Sequence, residues 1–294
     1  MKSLTKYIKV GLLVGGTCLL SPAHALVATY LAPGWNATDY LTLATATRSI
    51  EFDATGNLYI EDVSDDGSGG VSILKLEASS AYTSISNFVS YATSYDGVTG
   101  LDFDGLGNLY VSERAASGDA GVIRKINATI PELIGDVRTF NHHRPTGVDA
   151  DSEGNVYYTG RMESDGTFGN VYRIDSAGNR TILLENVVGT GIALDSLGHI
   201  FISTPGRADL GFTQNSIYMF DLSDSINAER IATFDETGGE LTFDDAGNLY
   251  MIDNIDHTKI IKLSFVPLPQ TAWLFISGLF LLIFSSNRKR HQAT

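Results

Sequence analysis

Phe52-Asp53-Ala54-Thr55-Gly56-Asn57-Leu58-Tyr59-Ile60 reads as an apolar segment, a tight turn and a second apolar segment, and near copies recur at 103–111, 150–158, 194–202 and 243–251. The shared form is apolar-Asp-x-x-Gly-[Asn/His]-apolar-[Tyr/Phe]-apolar. Its glycines fall at 56, 107, 154, 198 and 247. Asp closes such a turn through its own backbone, and Gly supplies the positive φ that reverses the chain with the twist of the flanking strands. Each copy therefore predicts a β-hairpin. A recurrence of 44 to 51 residues is that of propeller blades.

Working outward, a third strand follows each hairpin at 71–76, 121–126, 170–174, 216–220 and 259–265, and a fourth follows the first four at 84–91, 135–140, 180–184 and 229–234. The fifth copy lacks a fourth strand downstream. Upstream, the run 40–47 (Tyr-Leu-Thr-Leu-Ala-Thr-Ala-Thr) is an unassigned strand, and joining it to the last blade closes the ring and removes an exposed sheet edge. The fold class read from this pattern is all-β, a β-propeller of five four-stranded blades, with six blades as the alternative. The propeller domain spans 26–265.

The formal charge is −14, yet both ends are basic: six of the 20 Lys and Arg lie in 1–25 and 267–294, leaving 14 against 34 acids between them. So acidic a middle repels nucleic acid and presents a solvated surface, with weak divalent-cation binding as the minority reading. The single cysteine, Cys18, lies in the leader, so the mature chain has no thiolate nucleophile and no disulfide.

The leader is Lys2, Lys6 and Lys9 before the apolar run 10–20, ending in Ala23-His24-Ala25. This is a signal-peptide pattern, with cleavage expected after Ala25. At the other end, residues 272–284 are uncharged and mostly apolar. As a helix rising ~1.5 Å per residue they reach roughly 20 Å, and the flanks must extend them to cross a ~30 Å core. The cluster Arg288-Lys289-Arg290 would stay cytoplasmic.

Val266-Pro267-Leu268-Pro269, the helix start Trp273-Leu274-Phe275, Gly278 and the terminal basic cluster together resemble a PEP-CTERM sorting signal of the Val-Pro-Leu-Pro-Ala variety. The resemblance implies that 266–294 is a sorting segment handled by an exosortase-type membrane protease, in bacteria that make exopolysaccharide. The repeat itself, best seen in Thr146-Gly147-Val148-Asp149-Ala150-Asp151-Ser152-Glu153-Gly154-Asn155-Val156-Tyr157, resembles the NHL and SMP-30/gluconolactonase-like propellers. That resemblance implies the fold. It also implies an alternative function, a Ca²⁺-dependent hydrolase or lyase. Thr146, however, stands where the enzymes of the group carry a ligand Asn, and Arg48-Ser49-Ile50-Glu51 lacks their Gly-Glu-Gly-Pro pattern.

The turns occupy one face of the disc, so the variable loops of the opposite face are where a site is expected. Candidates there are Glu113, Arg114, Arg144 and Arg161 for a ligand, and Asp62, Glu240 and Asp253 for Ca²⁺, whose coordination needs six to eight oxygens. His142 and His143 are the weak catalytic candidates, since adjacent strand residues point to opposite faces. The loop from Asp62 to Ser68 has an EF-hand flavour, but its twelfth position is Ile73. Phosphate-loop, nucleophile-elbow and zincin motifs are absent from the sequence. The function read from these features is an exported binding protein of the cell envelope or matrix, with a polysaccharide, an envelope protein or a small molecule as ligand.

Overall fold

A computed structural model describes residues 26–62, 70–92, 97–114, 120–126, 139–160, 169–206, 211–222, 224–255 and 257–266. The expected leader and all but the first residue of the sorting segment lie outside them.

The strands fall into five antiparallel sheets. Blade 1 is Ile50–Phe52, Leu58–Glu61, Gly70–Leu76 and Ile85–Ala92, and blade 2 is Val98–Phe103, Leu109–Arg114, Ala120–Ile126 and Thr139–His143. Blade 3 is Pro145–Ala150, Val156–Gly160, Val171–Ile174 and Arg180–Leu184. Blade 4 is Gly191–Leu194, His199–Thr204, Ser216–Asp221 and Asp224–Phe234, and blade 5 is Gly238–Phe243, Leu249–Asp253 and Lys259–Phe265 with Trp35–Thr42 as its outer strand. The first strand of each blade is innermost, and the inner strand of blade 5 packs against that of blade 1, so the ring is closed.

Closure therefore uses an upstream strand, as the pattern of five blades requires, but its register differs from the expected 40–47. Trp35 pairs with Phe265 and Thr42 with Lys259. The indole of Trp35 meets Phe201 edge-on at 6.0 Å and Phe265 at 5.7 Å, and this docking starts the strand earlier than the β-branched run does. A segment that sequence periodicity missed, Ala28–Leu31, adds a fifth strand to blade 4 along Asp224–Phe234. Residues 28–42 thus strap two blades together.

Each turn is held by its own aspartate. Asp53 Oδ1 accepts the Thr55 and Asn57 backbone N–H groups at 2.9 Å, while Asn57 Nδ2 donates to Oδ2 at 2.8 Å, and Gly56 takes φ of 80°. Asp104, Asp151, Asp195 and Asp244 repeat the arrangement. Partial burial, the largest single influence on Asp53 and Asp244, raises their carboxyls, but the hydrogen bonds of the turn together outweigh it and hold both below their ordinary range. The same chemistry appears once more, at Asp175-Gly178-Asn179 between the third and fourth strands of blade 3.

Between blades the core divides into apolar clusters, one at each junction. At the blade 1–blade 2 junction, for example, Tyr59, Val71 and Ile73 pack on Val98, Leu101 and Val111. Hydroxyls add a repeated polar latch near the axis. Thr99 donates to the Pro145 carbonyl at 2.9 Å, Thr146 to Gly189 at 2.8 Å and Thr190 to Gly238 at 2.7 Å. At the junction of blades 1 and 2 a carboxylate takes this place: Glu61 Oε1 accepts the Val98 N–H at 2.8 Å.

Candidate functional site: the acidic axis

On the inner strands, side chains alternate, and those facing the channel form two successive levels. The level nearer the turns consists of Glu51, Asp102, Asp149, Ala193 and Thr242, since each of these pairs with the aromatic residue of its own repeat, Tyr59, Tyr110, Tyr157, Phe201 and Tyr250. Two residues earlier on each strand, Ser49, Gly100, Gly147, Gly191 and Glu240 form the second level. Two residues of strand rise place it roughly 6–7 Å deeper.

The carboxylates of the first level hold the neighbouring blades. Asp102 Oδ2 accepts the Ala150 N–H at 2.7 Å, Asp149 Oδ2 accepts the Leu194 N–H at 2.8 Å, and Glu51 Oε2 accepts the Thr242 hydroxyl at 2.5 Å. Ala193 breaks the series at the junction of blades 4 and 5. Burial pushes Glu51 and Asp102 well above the ordinary carboxyl range; the charge of Asp149 adds to this in both. Burial likewise brings Asp149 up to about 7, against the opposing pull of its backbone donors. Such groups titrate as a set, sharing protons.

Glu240 differs in kind. It is 1% exposed, and neither carboxylate oxygen has a hydrogen-bond partner in good geometry among the described residues. Burial raises its pKa well above the ordinary value; the Val148 amide offsets this only in part, and Asp149 and Glu51 raise it further. The side chain lies over the bare backbone of blades 3 and 4: a Cβ on Gly147 would stand 3.0 Å from Glu240 Oε2.

Above this floor the turn face opens as a funnel of about 1110 Å³. Among the described residues nine of its lining side chains are Asp or Glu, and none is Lys, Arg or His. Glu51, Asp102, Asp149 and Thr242 form the floor, and Phe52, Tyr59, Phe103 and Phe243 contribute apolar wall. Glu51 and Asp102 are buried; Asp149 keeps partial contact with the lumen.

The residues nominated from sequence are distributed otherwise. Of them, Glu240 alone is placed on the axis. Asp62, Glu113 and Asp253 follow the second strand's aromatic by three residues in blades 1, 2 and 5, one per blade, and do not converge. Glu113 is fully buried and paired with Arg124 Nε at 2.7 Å; Asp253 Oδ1 accepts the Ile255 N–H at 2.8 Å in a local turn. Asp62 follows the strand that ends at Glu61, its N–H bonded to the Ser72 carbonyl. Arg114 is half-buried and favours the charged form of Glu61. Arg144 is a one-residue connection between blades 2 and 3 with φ of 28°. His142 and His143 lie on the outer strand of blade 2, opposite Gly121 and Ala120, with their side chains outside the description; Arg161 lies outside the described residues altogether. Sequence reasoning missed Glu51, Asp102 and Asp149, although their place two residues before the turn aspartate or its neighbour was a readable signal of an inward-facing position.

All-oxygen donors of this kind suit a hard cation such as Ca²⁺, so the resemblance's metal can be tested against them. The residues do not fit it. Each first-level carboxylate is turned onto a neighbouring blade, and no group of three His, Cys, Asp or Glu among the described residues is arranged to hold a metal. Thr146, at the position of the ligand Asn, directs its hydroxyl to Gly189 and Thr159.

No family model and no curated protein sequence matches the chain. Among solved structures it is similar in fold to virginiamycin B lyase from Staphylococcus aureus, at 14% identity over 80% of this chain and 75% of that one, TM-score 0.44. It is also similar to a putative gluconolactonase, at 13% identity over 82% and 97%, TM-score 0.48. A protein of unknown function from Bacteroides thetaiotaomicron is 12% identical over 78% and 76%, TM-score 0.49. At these scores the architecture rests on this chain's own strand order, which is that of a closed five-bladed β-propeller.

Proposed function

We propose that the chain is an exported hydrolase or lyase whose acid–base chemistry takes place in the axial funnel, with Asp149 exchanging the proton. The observation that carries this reading is the placement of Asp149. It sits on the floor of a large cleft, in contact with the lumen, with one oxygen fixed by Leu194 N–H and a carboxyl pKa of about 7. A carboxyl poised near neutrality both accepts and returns a proton in the working range.

For an ester or lactone the step balances simply. Ionised Asp149 takes a proton from water as the water oxygen attacks the carbonyl carbon, and the protonated carboxyl then gives that proton to the leaving alkoxide oxygen. The acidic lining of the funnel, without a cation among the described residues, selects neutral or positively charged substrates and repels anionic ones. No step is assigned to a metal, because no group of three His, Cys, Asp or Glu among the described residues is arranged to hold one. The leader and the sorting segment would deliver the domain across the inner membrane, with an exosortase-type protease as processing partner.

Turnover of neutral lactones and esters by the full chain, followed from pH 5 to 9, tests this. The rate should rise as a group near 7 ionises, and Asp149→Asn, whose amide oxygen can still accept the Leu194 N–H, should lower kcat by ~10²–10⁴. Absence of turnover on the whole panel, or an Asp149→Asn variant with the parent's rate and profile, would overturn the reading. A binding-only propeller for an envelope polysaccharide or protein is the second reading. It is favoured by the fact that Glu51, Asp102 and Asp149 each hold an adjacent blade. It predicts saturable binding without turnover.

A further inference from the structure

The turn of blade 4 departs from the other four in a coordinated way. Where they carry Asn57, Asn108, Asn155 and Asn248, it carries His199, and Nδ1 of His199 lies 2.7 Å from Asp195 Oδ2. The imidazole thus makes the hydrogen bond that the asparagine amides make to their turn aspartates at 2.6 to 2.8 Å. A carboxylate can only accept, so the proton of the neutral ring is assigned to Nδ1, and Nε2 of that tautomer carries a lone pair. Asparagine has nothing equivalent. Among the described residues Nε2 makes no hydrogen bond. Two positions on, Phe201 replaces the tyrosine whose hydroxyl bonds the turn aspartate in blades 1, 3 and 5.

The ring of His199 faces a groove of about 790 Å³ between blades 4 and 5. Trp35, Phe201, Phe243 and Phe265 form its wall in edge-to-face contact, with centroids 5.1 to 6.0 Å apart. Trp35 is half-buried and Phe265 is 55% exposed, so part of this aromatic surface is open. The rim carries Glu229 and Asp245, and among the described residues no Lys or Arg lines the groove. Aromatic rings in such a wall take a flat ring by stacking or edge contact, and a carboxylate rim without cations favours neutral or positive ligands.

We propose that this groove binds an aromatic hydroxyl or amine compound of zero or positive charge, its ring against Trp35 and Phe265 and its O–H or N–H donating to His199 Nε2. The groove adjoins the axial funnel, sharing Asp195, Ser196, Leu197, Phe243 and Asp245 with its lining, but the proposal does not depend on the chemistry proposed there. His199→Asn is the decisive variant, because it installs the residue that the other four turns use and keeps the bond to Asp195.

The test uses the full chain carrying Trp273→Phe, which leaves Trp35 as the single indole of the two in the sequence, with tyramine as the probe and indole emission as the signal. A saturable change is expected, with 4-hydroxyphenylacetate, an anion of similar shape, binding at least ~10-fold more weakly. His199→Asn should weaken tyramine ~10-fold with the melting temperature unchanged, as loss of one hydrogen-bond acceptor implies. Absence of a saturable signal, equal affinity for the anion, or an unaltered affinity in His199→Asn would each overturn the proposal.

Discussion

Gly191→Ala should destabilise the propeller by ~3 kcal/mol, at the upper end for overpacking, and lower Tm by roughly 6–12 °C in a domain of this size. The added Cβ would lie 2.5 Å from the Gly239 carbonyl oxygen and 2.6 Å from Glu240 Cα. Both are backbone atoms of the next inner strand, so no flexible side chain can yield. Relief requires blades 4 and 5 to move apart, and in a closed ring that displaces every other junction. Gly198→Ala is the control: its glycine has φ of +86° but nothing within 4 Å of the new methyl, so only the left-handed strain of ~1 kcal/mol applies. Thermal unfolding followed by circular dichroism separates the two. A Gly191→Ala variant no less stable than Gly198→Ala would show that the inner strands do not approach as closely as described.

Glu240→Gln should stabilise the protein at pH 8 by ~1–3 kcal/mol, because the neutral amide avoids the desolvation that burial imposes on the ionisable carboxyl, raising Tm by at least roughly 2 °C. The gain should vanish near pH 4.5. In the unfolded chain Glu240 ionises at its ordinary value; in the folded chain burial holds the proton on to a much higher pH. The folded state therefore binds more protons across that interval, and stability falls as pH rises through it. Asp149 and Glu61, both brought up to about 7 chiefly by burial, impose the same slope between ordinary carboxyl values and 7. The turn aspartates act oppositely. The folded pKa values of Asp53 and Asp244 are lowered, so their contribution is complete above the unfolded value and is lost as pH falls through the folded one. Wild-type stability should accordingly peak on the acid side of neutrality. Denaturant melts from pH 3 to 8 check this, and an equal Glu240→Gln effect at both ends of the range would refute the account.

The hairpins were legible because their causes lie within five residues. Asp53 bonds the backbone of Thr55 and Asn57, Gly56 turns the chain, and no distant partner is needed. Closure of the ring was legible as a missing strand, though its register was not, because Trp35 docks on Phe201 and Phe265 rather than on a local neighbour. The acidic loop-face candidates illustrate the converse. Asp62, Glu113 and Asp253 look alike in sequence, yet each lies in its own blade.

By itself the sequence determined a β-propeller with acidic turns, five blades being its first reading and six the alternative, since period, alternation and turn chemistry are local properties that repeat. Tertiary structure alone decided which acids matter at the axis. Asp102 and Asp149 find their donors 48 and 45 residues away on the next blade, whereas Glu240, over glycines at the same level, finds none in good geometry. Whether a buried carboxylate is satisfied depends on which backbone N–H the adjoining blade presents to it, and that is set by how the blades pack against one another rather than by any residue's neighbours in the chain.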